Sequence, residues 1–466
     1  MRQRIGTILG VVLSGLSLGA SLPVIGSSGD EEVVVIKAGH VVTVSGEDIP
    51  KGEIVIVDGK IRLVGRKLEH PKGAKIIDAT GETVMPGMVH VHARPDSPPW
   101  QRSGIKGNFK VESEVRPSKI DFDTFIRNGF TAAVWIPNGS GMPGLPAIFR
   151  TGGSADEQVI DGPGYLRFTM NSQPRDKQSL RDALKKARSE IEKVEKAKKE
   201  LEAKKKEAEE KKAAEEKEKK EGTPAPGPQP APPPAPTPGP PPLPQPSPAP
   251  APAPDAKPAE AKPGEQEPKI PEIDPAYKAL ADLLEKKAGV PPIMLEVNRS
   301  SDILHALDVL EDYEDVNPMY YLGGFTGAGD YNYILPKLSE MKPLVVMPPA
   351  MYRLPQTVTR LNIAGELMFA GVEVAYAPAN DTASELENFR AKAADMARSG
   401  CERGPTLKAM TLYPAKAAGL DKRLGSIEKG KDADLVFLNG DPLDPTASVT
   451  RVMILGKIAW EKETAR

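Results

Sequence analysis

Short apolar runs alternate with amphipathic stretches over most of the chain. The strand-like runs TAAVWIP, PPIMLEV, PLVVMP and VEVAYAP are separated by segments with helical spacing, such as SDILHALDVLEDY and ELENFRAKAADMARSG. Alternation of strands and helices over a few hundred residues is typical of a parallel sheet or barrel. The pattern therefore predicts an α/β fold for the central part of the chain.

The two ends of the chain follow a different pattern. Between Val33 and Val84, short β-rich runs are broken by Gly and Asp, and the Asp58-Gly59 pair marks a hairpin turn. The C-terminal segments GSIEKGKDADLVFLNGDP and VTRVMILGKIAWE repeat this composition. Both ends therefore predict strands joined by tight turns.

A polar stretch interrupts the alternation between residues 178 and 272. From Gln178 to about Glu221 the chain is dominated by Lys, Glu and Ala, with apolar residues close to a heptad seam at Leu180, Leu184, Ala187, Ile191, Val194 and Leu201. The Ala/Pro-rich residues from Thr223 to Pro271 predict a loose, polyproline-like tether. We interpret the stretch as a charged helix followed by a disordered spacer; a dedicated partner-binding arm is the alternative.

Composition excludes several classes of function. The net charge is −2 and the pI is near 6.3, so no electrostatic feature predicts binding to nucleic acid. The single cysteine, Cys401, excludes an internal disulfide and a cysteine-based metal cluster. As a nucleophile Cys401 would need a histidine partner, and none is nearby in the sequence.

The first residues predict an export signal. Two arginines precede an apolar run from Ile5 to Leu18, and small residues follow at Gly19, Ala20 and Ser21. The run is shorter than the roughly 20 residues that a membrane span needs, so residues 1–29 are interpreted as a signal peptide. This predicts a periplasmic or extracellular protein, with an uncleaved N-terminal membrane anchor as the alternative.

Two distant segments together resemble the amidohydrolase superfamily. The segment TGETVMPGMVHVHARPD is similar to that family's first barrel strand, most closely in the imidazolonepropionase-like branch. The segment LKAMTLYPAKAAGLDKRLGSIEKGKDADLVFLNGDPLDP is similar to its last barrel helix and the following strands. The resemblance implies a (β/α)₈ TIM-type barrel with its site at the C-terminal strand ends. It also implies a small β-sandwich built from both chain ends.

This resemblance divides the chain into segments. The sandwich would take residues 30–85 and 419–466, and the barrel residues 86–177 and 273–418. The polar stretch at 178–272 would be an insertion in the barrel.

The resemblance also implies a metal-dependent reaction. In this family a divalent ion such as Zn²⁺, held by histidines and a carboxylate, lowers the pKa of its bound water, which attacks a carbon–nitrogen bond. The family uses four histidines on separate strands. This chain has five histidines in all, and none follows His305. The resemblance therefore predicts the fold, whereas the shortage of histidines argues against the metal-dependent activity of the family.

The first strand departs from the family pattern. Counted from Pro86-Gly87, His90 takes the family's aspartate position, His92 the first ligand position and Arg94 the second. Strand side chains alternate, so His90, His92 and Arg94 are expected to share one face. A shifted alignment that makes His90 and His92 both ligands remains the alternative.

The remaining ligand positions are also substituted. Glu296, in IMLEVNRSSDI, stands where the third histidine is expected, and YYLGGFTGAGD offers no histidine for the fourth. The last-strand aspartate is Ala379 when counted forward and Asp381 when counted back from the next helix; we favour Asp381 as the catalytic position. The predicted binding pocket comprises His90, His92, Arg94, Glu296, Asn298, Arg299 and Asp381.

The other histidines are interpreted as structural. His40 and His70 lie in the hairpins of the N-terminal segment, far from any barrel mouth. His305 lies within a helical segment, SDILHALDVL, where a surface or packing role fits.

The leading hypothesis is an amidohydrolase-family protein without a catalytic metal site, which binds a ligand or acts as a scaffold. Arg94 would then form an ion pair with Glu296 or Asp381, whose charges a metal would otherwise balance. The alternative is an active hydrolase of carbon–nitrogen bonds with one ion on His92, Glu296 and Asp381. In a third hypothesis, the inserted stretch at residues 178–272 binds the partner and the barrel is only its platform. A small-molecule ligand, a homo-oligomer or pairing with a related amidohydrolase subunit are the expected partners.

Overall fold

The computed structural model describes residues 32–94, 102–115, 122–221, 270–323, 330–354 and 356–463. The predicted signal peptide (1–29) and nearly all of the predicted Ala/Pro-rich tether lie outside these residues. Within them, no helix is both long enough and apolar enough to cross a membrane.

The strands of the described residues are, in chain order, β1 Val33–Val41, β2 Ile49–Pro50, β3 Glu53–Val57, β4 Lys60–Gly65, β5 Lys75–Pro86, β6 Met88–Ala93, β7 Arg102–Ile105, β8 Phe130–Trp135, β9 Gly139–Met142, β10 Ala147–Arg150, β11 Leu166–Met170, β12 Ile293–Val297, β13 Met319–Leu322, β14 Val345–Met347, β15 Tyr352–Arg353, β16 Arg360–Leu361, β17 Val374–Tyr376, β18 Leu435–Leu438, β19 Val449–Ile454 and β20 Lys457–Glu461.

The α-helices are, in the same order, α1 Asp123–Arg127, α2 Ala155–Gln158, α3 Pro174–Glu221, α4 Lys278–Leu284, α5 Ser300–Leu310, α6 Leu335–Met341, α7 Ile363–Phe369, α8 Ala383–Arg398, α9 Arg403–Met410 and α10 Leu412–Ala417. Short 3₁₀ helices span Val111–Ser113 and Asp330–Tyr333.

Both chain ends contribute to one sheet, here called the terminal sheet. Its strand order is β20-β19-β18-β5-β1-β3-β4, with β2 paired to β1. The two ends meet where β18 runs antiparallel to β5, from Leu435 opposite Pro86 to Leu438 opposite Thr83. The predicted β-sandwich is not confirmed: backbone pairing joins the segments in one eight-stranded sheet.

The predicted hairpin turn is present between β3 and β4. Val57 pairs with Lys60, so Asp58 and Gly59 form a two-residue loop. Their φ angles are 48° and 75°, the left-handed values that such a loop requires and that Asp and Gly tolerate best.

The barrel strands form two separate sheets. A short arc has the order β10-β8-β6, and a long arc has the order β17-β14-β13-β12-β11-β9-β7. Strands β6 and β8 are parallel, and so are β11, β12, β13, β14 and β17. This is a mixed α/β fold with parallel strands and intervening helices, as the alternation of the sequence predicted.

The barrel is not closed by backbone pairing among the described residues, which corrects the prediction of a complete (β/α)₈ barrel. At one gap, β11 pairs antiparallel with β9 through Gly141 and Thr169 and does not pair with β8. At the other gap, between β6 and β17, the strand β17 has only three residues. Side chains bridge this gap instead, as described below.

Helix α3 begins in the core and continues far beyond it. Leu180, Ala183, Leu184 and Ala187 are fully buried, whereas the residues after Leu201 are exposed as far as their side chains are described. The insertion that we predicted to begin at residue 178 therefore needs a correction, because the first turns of α3 pack against the barrel as an ordinary barrel helix.

Candidate ligand site at the strand ends

A cavity of about 620 Å³ lies at the C-terminal ends of the parallel strands. Residues that follow β6, β8, β11, β12, β13 and β17 line it, so both arcs contribute. Four asparagines are among the lining residues, each on a different loop: Asn138, Asn171, Asn298 and Asn380. The lining is therefore rich in amide groups that can donate and accept hydrogen bonds.

Glu296 is held between two arginines. Arg94 Nη2 donates to Glu296 Oε1 at 2.6 Å, and Arg167 Nε donates to Glu296 Oε2 at 2.5 Å. Arg167 also donates through Nη1 to the carbonyl oxygens of Pro137 and Gly139, at 3.0 and 3.3 Å. The ion pair that the sequence predicted between Arg94 and a carboxylate is thus present, with Glu296.

His92 is fixed in one tautomer by its neighbours. Arg94 Nη2 lies 3.3 Å from His92 Nε2, and because a guanidinium can only donate, Nε2 must accept. The ring proton of a neutral imidazole then sits on Nδ1, which lies 3.2 Å from the Tyr165 hydroxyl. That hydroxyl in turn donates to the Val91 carbonyl at 2.8 Å. The ring also stacks on Tyr321, with centroids 3.8 Å apart.

The charge states follow from burial and from the arginines. Burial lowers the pKa of His92 well below its usual value, and Arg94 and Arg167 lower it further although Glu296 opposes this. Burial by itself would raise the pKa of Glu296, but Arg167, His92 and Arg94 together lower it to about 2. At neutral pH the centre is therefore a neutral imidazole beside an ionised carboxylate and two guanidinium groups.

Asp381 joins the loop after β17 to strand β6. Its Oδ2 accepts a hydrogen bond from the Arg94 backbone N–H at 2.6 Å. Its Oδ1 lies 2.9 Å from His90 Nε2, although the direction is unfavourable for a hydrogen bond between these two atoms. Asp381 thus bridges the gap between the arcs that no strand pairing closes in the described residues.

His90 does not face the cavity, which corrects the expectation that His90, His92 and Arg94 share one face. Its fully buried ring packs against Phe125 and Phe130, at centroid distances of 5.9 and 5.7 Å. The pairing of β6 with β8 is irregular between His90 and Ala93, so the strict alternation of side chains fails there. His90 therefore supports Asp381 from behind the cavity wall.

The structure brings most of the sequence-predicted pocket together. His92, Arg94, Glu296, Asn298 and Asp381 line the cavity, and so does Ala379, the alternative to Asp381. Arg299 is exposed, does not line the cavity, and precedes α5 as its N-cap residue.

Sequence reasoning missed two of the central residues, Arg167 and Tyr165. Strand β11 reads LRFTM, and Arg167 is its only charged residue. An arginine inside a fully buried five-residue strand needs a carboxylate partner, and this signal could have identified it. The asparagines at 138 and 171 carry no comparable signal.

The remaining predicted residues lie elsewhere. His40 Nε2 is 3.4 Å from Asp48, and His305 is half-buried on α5. Cys401 is buried, and its sulfur contacts Asn362 and Tyr376 at 3.5 Å.

The divalent ion that the resemblance implies does not fit these side chains. In the described residues no three His, Cys, Asp or Glu side chains are grouped to hold a metal ion. The lone pair of His92 Nε2 faces Arg94, and both oxygens of Glu296 accept from guanidinium groups. A dication here would meet two fixed positive charges at close range.

Comparisons with known proteins agree with the fold and with the C-terminal sequence pattern. The family model described as "Amidohydrolase family" matches residues 364–459. An amidohydrolase from Thermotoga maritima has a similar structure, with a TM-score of 0.66 and 21% identity over 92% of this chain and 100% of its own. The family model thus matches a C-terminal part of the chain, and the structural likeness, at 21% identity, concerns the fold.

Matches to curated proteins are local. The chain is 38% identical over 68 residues to the N-acetylglucosamine-6-phosphate deacetylase of Bos taurus, which is 15% of each protein. It is 30% identical over 107 residues to the dihydroorotase of Pelotomaculum thermopropionicum, or 23% of this chain and 22% of that enzyme. The chain thus aligns with less than a quarter of either amidohydrolase relative.

Proposed function

We propose that this protein is an exported, amidohydrolase-fold binding protein whose cavity holds a small polar ligand without a catalytic metal. The observation that carries the proposal is the position of Arg94, whose guanidinium donates both to His92 Nε2 and to Glu296. The atoms that a metal would need are the atoms that this arginine binds.

Arg167 supports the same conclusion from the opposite side of Glu296. It is almost completely buried and donates to Glu296 as well as to two backbone carbonyls. Removing Glu296 from this arrangement to bind a metal would leave a buried guanidinium without its anion, which is costly. We therefore interpret Glu296 as the ion-pair partner of the two arginines and not as a metal ligand.

The charges of the cavity favour a polar ligand without multiple charges. Arg94 and Arg167 balance Glu296 and Asp381, and His92 is held neutral. The asparagine side chains around this balanced centre offer amide donors and acceptors on several sides. A small amide or other polar molecule fits these properties, and the volume of about 620 Å³ admits it.

An active hydrolase is the second candidate, and one observation favours it. The Arg94 side chain is 45% exposed, so it can leave Glu296 without breaking a buried packing arrangement. His92, Glu296 and Asp381 would then face the cavity together. The local similarity to a deacetylase and a dihydroorotase agrees with this candidate.

Metal titration of the purified protein separates the two candidates. We expect the native protein to carry no stoichiometric zinc, manganese or iron by elemental analysis, and to gain none on incubation with Zn²⁺ followed by dialysis. The variant Arg94→His removes one positive charge and adds an imidazole beside His92, so it should bind Zn²⁺ more tightly than the native protein does.

His305→Ala is the matched control, because this histidine lies on α5 away from the cavity. It should leave the metal content unchanged, both in the native protein and in the Arg94→His variant. Stoichiometric metal in the native protein, lost in His92→Ala but kept in His305→Ala, would overturn the binding-protein proposal and favour the hydrolase.

A further inference from the structure

Two arginines face each other across a surface hairpin that lies outside the cavity at the strand ends. Arg353 on β15 pairs directly with Arg360 on β16, and both side chains are exposed. Side chains opposite each other in an antiparallel pair have Cβ atoms about 4.5–5.5 Å apart, and like charges there are destabilising. The hairpin therefore carries a local repulsion that an anion would relieve.

The two arginines also line a cavity of about 400 Å³ between the hairpin and α8. Two other charged residues line it, and each is already paired: Lys392 with Glu385, and Asp395 with Arg398 at 2.7 Å. Within the described part of the chain, no carboxylate makes an ion pair with Arg353 or Arg360. Two positive charges thus remain unbalanced at one cavity.

We propose that this cavity binds a phosphoryl group. A phosphate monoester carries about −1.5 to −2 charges at neutral pH, which matches two guanidinium groups, whereas one carboxylate would balance only one of them. Its oxygens accept paired hydrogen bonds from planar guanidinium forks, and two opposed forks can hold one tetrahedral anion. Asp395, the carboxylate in the lining, is paired with Arg398, and Pro349, Ala350, Met351 and Met396 of the lining are apolar.

The phosphoryl group can belong to a soluble molecule or to a lipid headgroup. Val358 lies between the two arginines in sequence and is 89% exposed, and Met351 beside the cavity is 37% exposed. Exposed apolar side chains next to basic ones are typical of protein surfaces that contact lipid headgroups. Both sources share the chemistry of the phosphoryl anion, so the experiment separates them.

The test uses the double variant Arg353→Gln/Arg360→Gln of the full chain. Inorganic phosphate is titrated calorimetrically at constant ionic strength, with acetate as the singly charged comparison. Phosphate should bind the native protein in preference to acetate, and the double variant should bind phosphate at least about tenfold more weakly, since each charge-assisted hydrogen bond contributes more than the ~1.4 kcal/mol that a tenfold change represents. Vesicles of phosphatidylcholine with or without phosphatidic acid test the lipid source by co-sedimentation.

Thermal unfolding provides a readout that a merely structural role would not give. In phosphate-free buffer the double variant should unfold at a slightly higher temperature than the native protein, because the opposed charges are gone. Added phosphate should stabilise only the native protein. Arg62→Gln/Arg66→Gln is the control, since both arginines are exposed near β4 and make no ion pair with the described residues.

Each outcome is decisive. Binding of inorganic phosphate that the double variant loses and the control keeps supports a soluble ligand. Binding only to vesicles with phosphatidic acid, lost in the same variant, supports a lipid headgroup. The proposal is overturned if neither probe binds, if acetate binds as well as phosphate, or if both double variants behave alike.

Discussion

Two networks of arginine and carboxylate groups occupy different parts of the molecule, and they use the same chemistry in different ways. The first, here called the joint network, connects the barrel to the terminal sheet. Arg150 donates to Asp432 at 2.6 Å and to Asp434 at 3.2 Å, while Lys60 and Arg423 also bind Asp432. The side chains of Arg150, Asp432 and Asp434 are at most 4% exposed.

The second, here called the mouth network, is the group of Arg94, Arg167, Glu296 and His92. Arg167 is as buried as Arg150, with 4% of its side chain exposed, but Arg94 is 45% exposed. No hydrogen bond from Arg94 Nε or Nη1 to another described residue is present. All three nitrogens of the Arg150 guanidinium donate to protein oxygens, whereas the Arg94 guanidinium of the mouth network has one open edge in a cavity.

Comparing the two networks shows how a buried charge cluster can be assigned to structure or to binding. Both clusters place carboxyl groups with shifted pKa values in the protein interior, so perturbed pKa values alone do not distinguish them. The distinguishing property is the access that a ligand has to the central arginine: an arginine whose donors all end on protein atoms, such as Arg150, can only support the fold. The mouth network retains donors that a ligand can reach, and this favours its role in binding.

The largest expected effect is on stability when the joint network loses its central cation. Arg150→Met leaves Asp434 buried without its guanidinium partner and removes one of the cations on Asp432, so unfolding free energy should fall by about 3–5 kcal/mol. Urea denaturation measures this. Arg127→Met, which breaks exposed pairs with Asp123 and Glu387, should cost less than about 1 kcal/mol. Equal losses in the two variants would contradict the assignment of a buried structural role to Arg150.

The next effect is a pH dependence that belongs to the mouth network. The pKa of Glu296 is lowered to about 2 in the folded protein. Its contribution to stability is therefore fully present above the pKa of an unfolded glutamate and is lost as the pH falls through that value toward about 2. The expected contribution at neutral pH is on the order of 3 kcal/mol.

Chemical denaturation over this acid range checks the prediction with Glu296→Gln as the reference. The free energy difference between the native protein and this variant should shrink as the pH falls, since only the native protein loses the charge. A difference that stays constant down to about pH 2 would show that the arginines do not lower the pKa of Glu296.

The sequence predicted those features of the fold and site that short motifs determine. The Asp58-Gly59 turn follows from local backbone preferences, and the pairing of Arg94 with Glu296 followed from placing each residue at a known strand end. The joining of the two chain ends was also foreseeable from their shared strand-and-turn composition.

Other features depend on long-range packing that no motif encodes. The turn of His90 toward Phe125 and Phe130 accompanies an irregular strand pairing, and the barrel strands are divided into two sheets where β11 pairs with β9. Arg167 reaches Glu296 from a strand 129 residues earlier in the chain, across an interruption of the strand–helix alternation. Such contacts become visible only when the strands have been placed side by side.

A smaller effect is expected when the hydrogen-bond chain behind His92 is shortened. Tyr165→Phe removes the acceptor of His92 Nδ1–H and the donor to the Val91 carbonyl, both buried, so unfolding free energy should fall by about 1–3 kcal/mol. Urea denaturation compares it with Tyr413→Phe, whose half-buried hydroxyl makes no hydrogen bond with the described residues. If the two variants lose equal stability, the series of hydrogen bonds from Arg94 through Tyr165 to Val91 does not hold the His92 imidazole in place.

The smallest effect, and the sharpest contrast between the networks, concerns Asp434. Burial raises the pKa of this carboxyl, and the nearby Asp432 adds to the shift although Arg150 opposes it. A raised pKa has the opposite consequence to that of Glu296: as the pH rises past the pKa of an unfolded aspartate, ionisation favours the unfolded chain and the native protein loses stability. Asp434→Asn removes this loss but also weakens the contact with Arg150, so the net change near neutral pH should stay below about 1 kcal/mol. Denaturation across the acid range should therefore show the Asp434→Asn and Glu296→Gln differences changing with pH in opposite directions. Parallel changes would mean that the joint network stabilises both Asp432 and Asp434 as anions, and that only the access to the central arginine separates it from the mouth network.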